Sequence, residues 1–116
     1  MPIFTVYTNK SSGKEEATQF LLDASKFIAS LLGKPEKYVT VRYHPDQLMS
    51  HGGTTDPCGS VELYSINLGT ERNNSFAEAI GEFIATKLTI PKDRFYVNFT
   101  DLKRTDVAID GKTFAT

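Results

Sequence analysis

The chain opens with a β-branched and aromatic run, Ile3, Phe4, Thr5, Val6 and Tyr7, which reads as a strand headed by Pro2 over the first eight residues. Ser12-Gly13-Lys14-Glu15 fits a capping box. The apolar residues behind it, Ala17, Phe20, Leu21, Ala24, Phe27, Ile28, Leu31 and Leu32, fall at helical spacing, so an amphipathic helix is predicted, ended by Gly33 and Pro35. From Tyr38 to Tyr43 the period changes to two, the mark of a strand. Pro45 to Pro57 carries Gly52-Gly53-Thr54-Thr55-Asp56-Pro57 and predicts a surface loop before a strand over about Gly59 to Asn67. A second capping box, Ser75-Phe76-Ala77-Glu78, opens a helix on Phe76, Ile80, Phe83, Ile84 and Leu88, closed by Pro91. Phe95 to Thr100 is the fourth predicted strand, and Val107 to Phe114 reads as a short hairpin around Asp110-Gly111.

The pattern repeats. Phe20, Phe27, Ile28, Leu32 and Pro35 recur 56 positions later as Phe76, Phe83, Ile84, Leu88 and Pro91, and Val39, Val41 and Tyr43 recur as Phe95, Val97 and Phe99. Two copies of a β-α-β unit with right-handed crossovers give an α+β fold, a four-stranded mixed sheet with two helices on one face. Val39, Val41, Tyr43, Phe95, Val97 and Phe99 then face the helices and turn Thr40, Arg42, Tyr96 and Asn98 to the other side. That second face is too mixed to be a core and must meet water or another copy of the chain, so self-assembly is expected.

Composition narrows the partners. A chain of 116 residues is expected to form a single domain, 1–116, burying roughly two-thirds of its unfolded surface. Thirteen basic against 14 acidic residues leave no footprint for nucleic acid or an anionic membrane surface. Cys58 is the only cysteine, which excludes an intrachain disulfide, and with His44 and His51 it makes no convincing zinc set, so neither metal nor cofactor is expected. Neither a basic-then-apolar leader nor an apolar run near 18 residues is present, and the expected address is the cytosol.

Pro2 is the candidate chemical group. Removal of Met1 would leave a secondary amine at the tip of a strand, and an α-amino group titrates at roughly 7.7 to 8.0, lower when buried or near a cation, so it could serve as a base near neutral pH. The plainer alternative is a proline that starts an edge strand, where its missing N–H costs little.

Met1-Pro2-Ile3-Phe4, Gly33-Lys34-Pro35 with Tyr38, Pro45-Asp46-Gln47-Leu48-Met49 before Gly52-Gly53, Asp56-Pro57-Cys58, Ser65-Ile66, Asn73-Asn74-Ser75 and Pro91-Lys92-Asp93-Arg94-Phe95-Tyr96-Val97-Asn98 together resemble the macrophage migration inhibitory factor family of the tautomerase superfamily. The resemblance spans essentially the whole chain. It implies a homotrimer with three sites between neighbouring subunits, keto–enol tautomerase activity on small aromatic 2-oxo acids such as phenylpyruvate and on D-dopachrome-like compounds, and cytokine-like signalling through a cell-surface receptor. It also implies a cytoplasmic protein that is secreted without a signal peptide. By the same resemblance Pro2 matches the base, Lys34 the cation beside it, and Ile66 the residue whose backbone N–H helps bind the substrate carboxylate. Tyr96 and Asn98 match the pair from the adjacent subunit, and Tyr38, Val107 and Phe114 complete the substrate-binding set. The residue types suit the chemistry, since removing a proton α to a carbonyl needs a base of near-neutral pKa and donors for the enol oxygen and carboxylate. Without the resemblance, Lys34 reads as a solvated loop charge and Tyr96 and Asn98 as ordinary sheet surface.

Three positions depart from vertebrate members of the family. Ile109 stands where they carry a tryptophan at the pocket rim, Tyr64 where they carry a histidine, and Ile3 where methionine is common. The Cys-x-x-Cys pair credited with thiol-redox activity is here Cys58-Gly59-Ser60-Val61, so that dithiol chemistry is unavailable. Asn-x-Ser/Thr matches at Asn9, Asn73 and Asn98 read as chance. Two functional classes follow, an enzyme and a receptor ligand whose turnover is incidental. A third, an RNA-binding ferredoxin-like domain, would need a basic sheet face with stacking aromatics, against which the net charge argues.

Overall fold

Helical and extended segments alternate through the computed structural model, which describes residues Met1 to Thr116. Strand β1 (Pro2–Thr8) leads to helix α1 (Lys14–Leu32), a 3-10 turn at Glu36–Tyr38 and strand β2 (Thr40–His44). The second unit follows the same plan, with β3 (Gly59–Ile66), α2 (Asn73–Leu88), a 3-10 turn at Lys92–Arg94 and β4 (Phe95–Leu102). Short strands β5 (Ala108–Ile109) and β6 (Lys112–Thr113) close the tail as the expected hairpin, with Asp110 and Gly111 at φ 53° and 76°, the left-handed pair a two-residue turn requires. The 56-residue repeat extends to these two turns, whose N-caps are both prolines, Pro35 in one copy and Pro91 in the other.

The sheet order is β2-β1-β3-β4, with β1 parallel to β2, antiparallel to β3, and β3 parallel to β4. Phe4, Val6, Val61, Leu63 and Phe95 are buried on one sheet face, and Phe20, Ala24, Ile28, Phe76, Ile80 and Ile84 come down on them from both helices into one core cluster. Phe27 and Phe83, equivalent in the repeat, stack with centroids 4.2 Å apart between the helices. The opposite face carries Ile3, Thr5 and Tyr7 of β1, Arg42 of β2, Ser60, Glu62 and Tyr64 of β3 and Tyr96 and Asn98 of β4, side by side in the register.

Both capping boxes fail. Gly13 is the N-cap of α1 and makes no side-chain cap bond, because the Ser12 hydroxyl instead pairs with the Tyr43 hydroxyl at 2.6 Å. Helix α2 begins two residues before Ser75 with Arg72 as N-cap, since the Thr70–Asn73 turn, closed by Asn73 N–H donating to Thr70 C=O, runs straight into the helix. Tyr38 leaves the predicted strand for the 3-10 turn, where its N–H donates to Pro35 C=O at 3.1 Å. The fourth strand runs two residues past Thr100, because its ladder with β3 continues with Ser65 opposite Asp101 and Ile66 opposite Leu102, and the Asp101 carboxylate accepts from Leu68 N–H at 3.0 Å. The edge-strand reading of Pro2 is also overturned: β1 lies inside the sheet with neighbours on both sides, and Pro2 is fully buried at its first position. A proline fits there because the first residue of a strand can do without its ladder N–H. No helix is long and apolar enough to cross a membrane.

Candidate active site

Lys34 is aimed by the way α1 stops. Gly33 takes the left-handed conformation, φ 63°, and the chain closes a double bond pattern in which Lys34 N–H donates to Ala29 C=O at 3.0 Å and Gly33 N–H to Ser30 C=O at 3.3 Å. This reversal turns the Lys34 side chain back across the end of β3. There Nζ donates to the Ser65 hydroxyl at 2.9 Å and to the Ile66 carbonyl at 2.7 Å. An ammonium has three N–H donors, so one is left for an incoming acceptor.

Pro2 lies beside this group, because β1 pairs with β3 so that Pro2 is opposite Ser65. The structure thus brings Pro2, Lys34 and Ile66 together at one end of the sheet. The Ile66 group that meets Lys34 is its carbonyl, while its side chain is buried. Burial lowers the pKa of the Lys34 ammonium, the Arg72 charge adds to this, and the Asp101 carboxylate opposes it. With Met1 in place its terminal amine is likewise held below the ordinary α-amino value, first by burial and then by the Lys34 charge. The field that a free Pro2 nitrogen would enter therefore disfavours its protonated form.

The tail joins the same end through the turn that follows Lys34. Tyr38 packs edge-on against Phe114 with centroids 6.4 Å apart. Phe114 N–H donates to Val107 C=O at 3.1 Å, and Arg104 holds the Phe114 carbonyl at 2.6 Å. Tyr38, Val107 and Phe114 thus form one cluster attached to the Lys34 segment.

Tyr96 and Asn98 are not part of it. In the β3–β4 register Tyr96 stands beside Ser60 and Asn98 beside Glu62, whereas Pro2 stands beside Ser65. Ser60 and Ser65 are five residue steps apart along β3, about 17 Å of strand at ~3.3 Å per residue. Both side chains also point away from the face that holds Pro2, Phe4 and Val6. None of the surface concavities of a single chain is lined by Pro2 or Lys34. Of the positions that depart from vertebrate forms, Ile3 and Tyr64 are directly opposed across β1 and β3, and Ile109 is exposed on the tail hairpin.

Sequence reasoning assigned no role to Ser65, Arg72 or Asp101. No local pattern marks them, because each reaches Lys34 only through strand pairing and the loop before α2. The two histidines and Cys58 are scattered: His44 stacks on Tyr7 at 4.7 Å, His51 lies against Tyr96, and Cys58 is buried.

The profile of the family described as Macrophage migration inhibitory factor matches residues 1–115. The macrophage migration inhibitory factor of Xenopus tropicalis is 39% identical over 116 residues, covering 99% of this chain and 100% of that protein. A Brugia malayi homolog of that factor is 41% identical over 115 residues, covering 98% and 99%. Among solved structures, the factor from Trichinella spiralis superposes with a TM-score of 0.88 at 36% identity, covering 97% of this chain and 99% of that one. The homologue from Prochlorococcus marinus gives 0.89 at 32% identity, covering 97% and 98%. Agreement in sequence and in three dimensions over nearly the full length places the chain in the macrophage migration inhibitory factor family.

Proposed function

We propose that the protein is a keto–enol tautomerase acting on small aromatic 2-oxo acids such as phenylpyruvate and on D-dopachrome-like compounds, with the amine of Pro2 as base once Met1 is removed. The observation that carries this reading is the meeting of Pro2 and Lys34 at Ser65 and Ile66. A 2-oxo acid whose carboxylate takes the free donor of Lys34 would present the CH₂ on the far side of its ketone to the Pro2 nitrogen. That nitrogen removes a proton, the C–H electron pair becomes the new C=C bond, and the C=O π pair moves onto the ketone oxygen, which takes up a proton from water while the protonated amine gives its own back to water. In ketonisation the protonated amine delivers its proton to the carbon and the enol O–H loses its proton to water. Burial and the neighbouring ammonium, which lower the pKa of the terminal amine when Met1 is present, suit the task because the same surroundings disfavour the protonated form of a free Pro2 amine.

Tyr96 and Asn98 lie too far along the sheet to reach Pro2 of their own chain, which supports a homotrimer in which a neighbour supplies them to each pocket. A receptor-ligand role is the second reading, favoured by the family description itself. In processed protein whose intact mass shows loss of Met1, Pro2→Gly should lower kcat/KM for phenylpyruvate on the order of 10²-fold or more, the range a positioned acid–base group supplies. An unchanged rate in that protein removes Pro2 from the mechanism. Retained receptor binding by the inactive variant would separate signalling from turnover.

A further inference from the structure

Tyr96 is 73% exposed in a single chain, and a ring with so few neighbours loses rotamer freedom when it closes on a ligand. One aromatic group does touch it. The His51 imidazole lies with its centroid 5.5 Å from that of the Tyr96 ring, tilted by 48°. The main chain that carries this ring is fixed, because the His51 backbone N–H donates to Thr54 C=O at 3.0 Å and the His51 C=O accepts from Thr54 N–H at 3.1 Å. Gly52 and Gly53 make that turn at φ 58° and 81°.

Arg94, two residues before Tyr96, ties the turn back to the start of β4. Its Nε donates to Pro57 C=O at 2.9 Å, and one terminal nitrogen donates to the Thr54 hydroxyl at 2.9 Å and to Asp56 C=O at 3.1 Å. From the other side the Asn9 amide donates to Thr55 C=O at 2.9 Å and accepts from Cys58 N–H at 3.0 Å. The contacts form a closed path from Tyr96 to His51, Thr54 and Arg94 and back to the strand that carries Tyr96.

We infer that His51, held in place by Arg94, is a positioning residue that fixes the Tyr96 ring in the orientation in which it meets the substrate, and so sets affinity for aromatic 2-oxo acids. The inference rests on the reading of Tyr96 as a substrate contact. A ring contact made alike in the ground and transition states acts on KM more than on kcat. His51→Ala should therefore raise KM for phenylpyruvate roughly 3- to 10-fold, the size of an aromatic-pair contribution, with a much smaller change in kcat. His51→Phe should restore KM, since a phenyl ring can fill the same place. Arg94→Ala should raise KM to a similar extent, and the double variant with His51→Ala should be no worse than either single one, because Arg94 acts through His51.

An unchanged KM in His51→Ala, no rescue by His51→Phe, or additive losses in the double variant would overturn the inference. Should Arg94→Ala not assemble, the two His51 variants decide the matter alone. Pro2→Gly and Tyr96→Ala measured alongside separate the layers of the argument. If Pro2→Gly loses turnover while Tyr96→Ala leaves KM unchanged, the positioning role falls and the base assignment stands. Full activity in processed Pro2→Gly removes the functional reading and this inference with it.

Discussion

Two nitrogens set the electrostatics of the site. Burial and then the Lys34 charge lower the pKa of the terminal amine, and the Lys34 ammonium is itself disfavoured by burial and by Arg72. If a freed Pro2 nitrogen meets the same surroundings, kcat/KM should rise with pH and level off above an inflection lying below the ordinary α-amino value of roughly 7.7 to 8.0. Removing a neighbouring cation stabilises the protonated amine, so Lys34→Ala should move that inflection upward. An inflection that stays put in the variant argues that burial alone sets the amine. The same substitution should weaken turnover of carboxylate substrates more than that of their esters, because only the acid loses a charge-assisted hydrogen bond, worth about 1.5 to 3 kcal/mol. Equal losses for acid and ester would show that the third Lys34 donor does not reach the carboxylate.

At the scale of elements the two β-α-β copies end their helices alike and with different residues. Gly33 caps α1 at φ 63°, and Thr89, its equivalent 56 positions on, caps α2 at φ 55°. A left-handed conformation suits glycine and costs a β-branched residue roughly 1–2 kcal/mol. Allowing for the greater freedom of glycine in the unfolded chain, Thr89→Gly should stabilise the fold by about 0.5–1 kcal/mol in denaturant unfolding at fixed protein concentration. Gly33→Ala should destabilise it although nothing stands within 4 Å of the added carbon, so the loss is one of backbone alone. Opposite signs for these variants are the test, and a Thr89→Gly protein no more stable than its parent would refute the account. Helices, turns and the repeat were legible in the sequence because hydrophobic periodicity and Gly/Pro stops are local signals. The capping boxes misled because Ser12 had a distant partner in Tyr43, and an i, i+3 pattern cannot reveal a partner 31 residues away. The interior place of β1 was hidden for the same reason, as strand order is decided by pairings no local run encodes. Pro2 was legible as a candidate base from its place behind Met1 at the head of a strand, whereas Lys34 and Ile66 were singled out only through family resemblance. Ser65, which touches Lys34, stood in a quoted motif without a role.

For the whole molecule, the sheet determines which residues can share a site. Pro2 and Lys34 meet at the Ser65 end of β3, whereas Tyr96 and Asn98 point from the other face in the first half of β4, beside Ser60 and Glu62. One copy cannot fold these groups onto one substrate without breaking the register. A head-to-tail ring of three can bring the Tyr96 end of one chain to the Pro2 end of the next and repeat that contact at each interface. The exposed face and the free edges of β2 and β4 are surfaces such a ring would use. We therefore expect complementation between two inactive variants. A Pro2→Gly chain retains Tyr96 and Asn98, and a Tyr96→Ala, Asn98→Ala chain retains Pro2. When they are unfolded together and refolded, random mixing pairs an intact Pro2 with an intact Tyr96/Asn98 in roughly a quarter of the sites, since each of the two chains at an interface must be of the right kind. Activity should rise well above that of either parent refolded alone. If native mass confirms mixed trimers and activity stays at the sum of the parental values, each chain builds its site from its own residues, and the role given to Tyr96 and Asn98 is wrong.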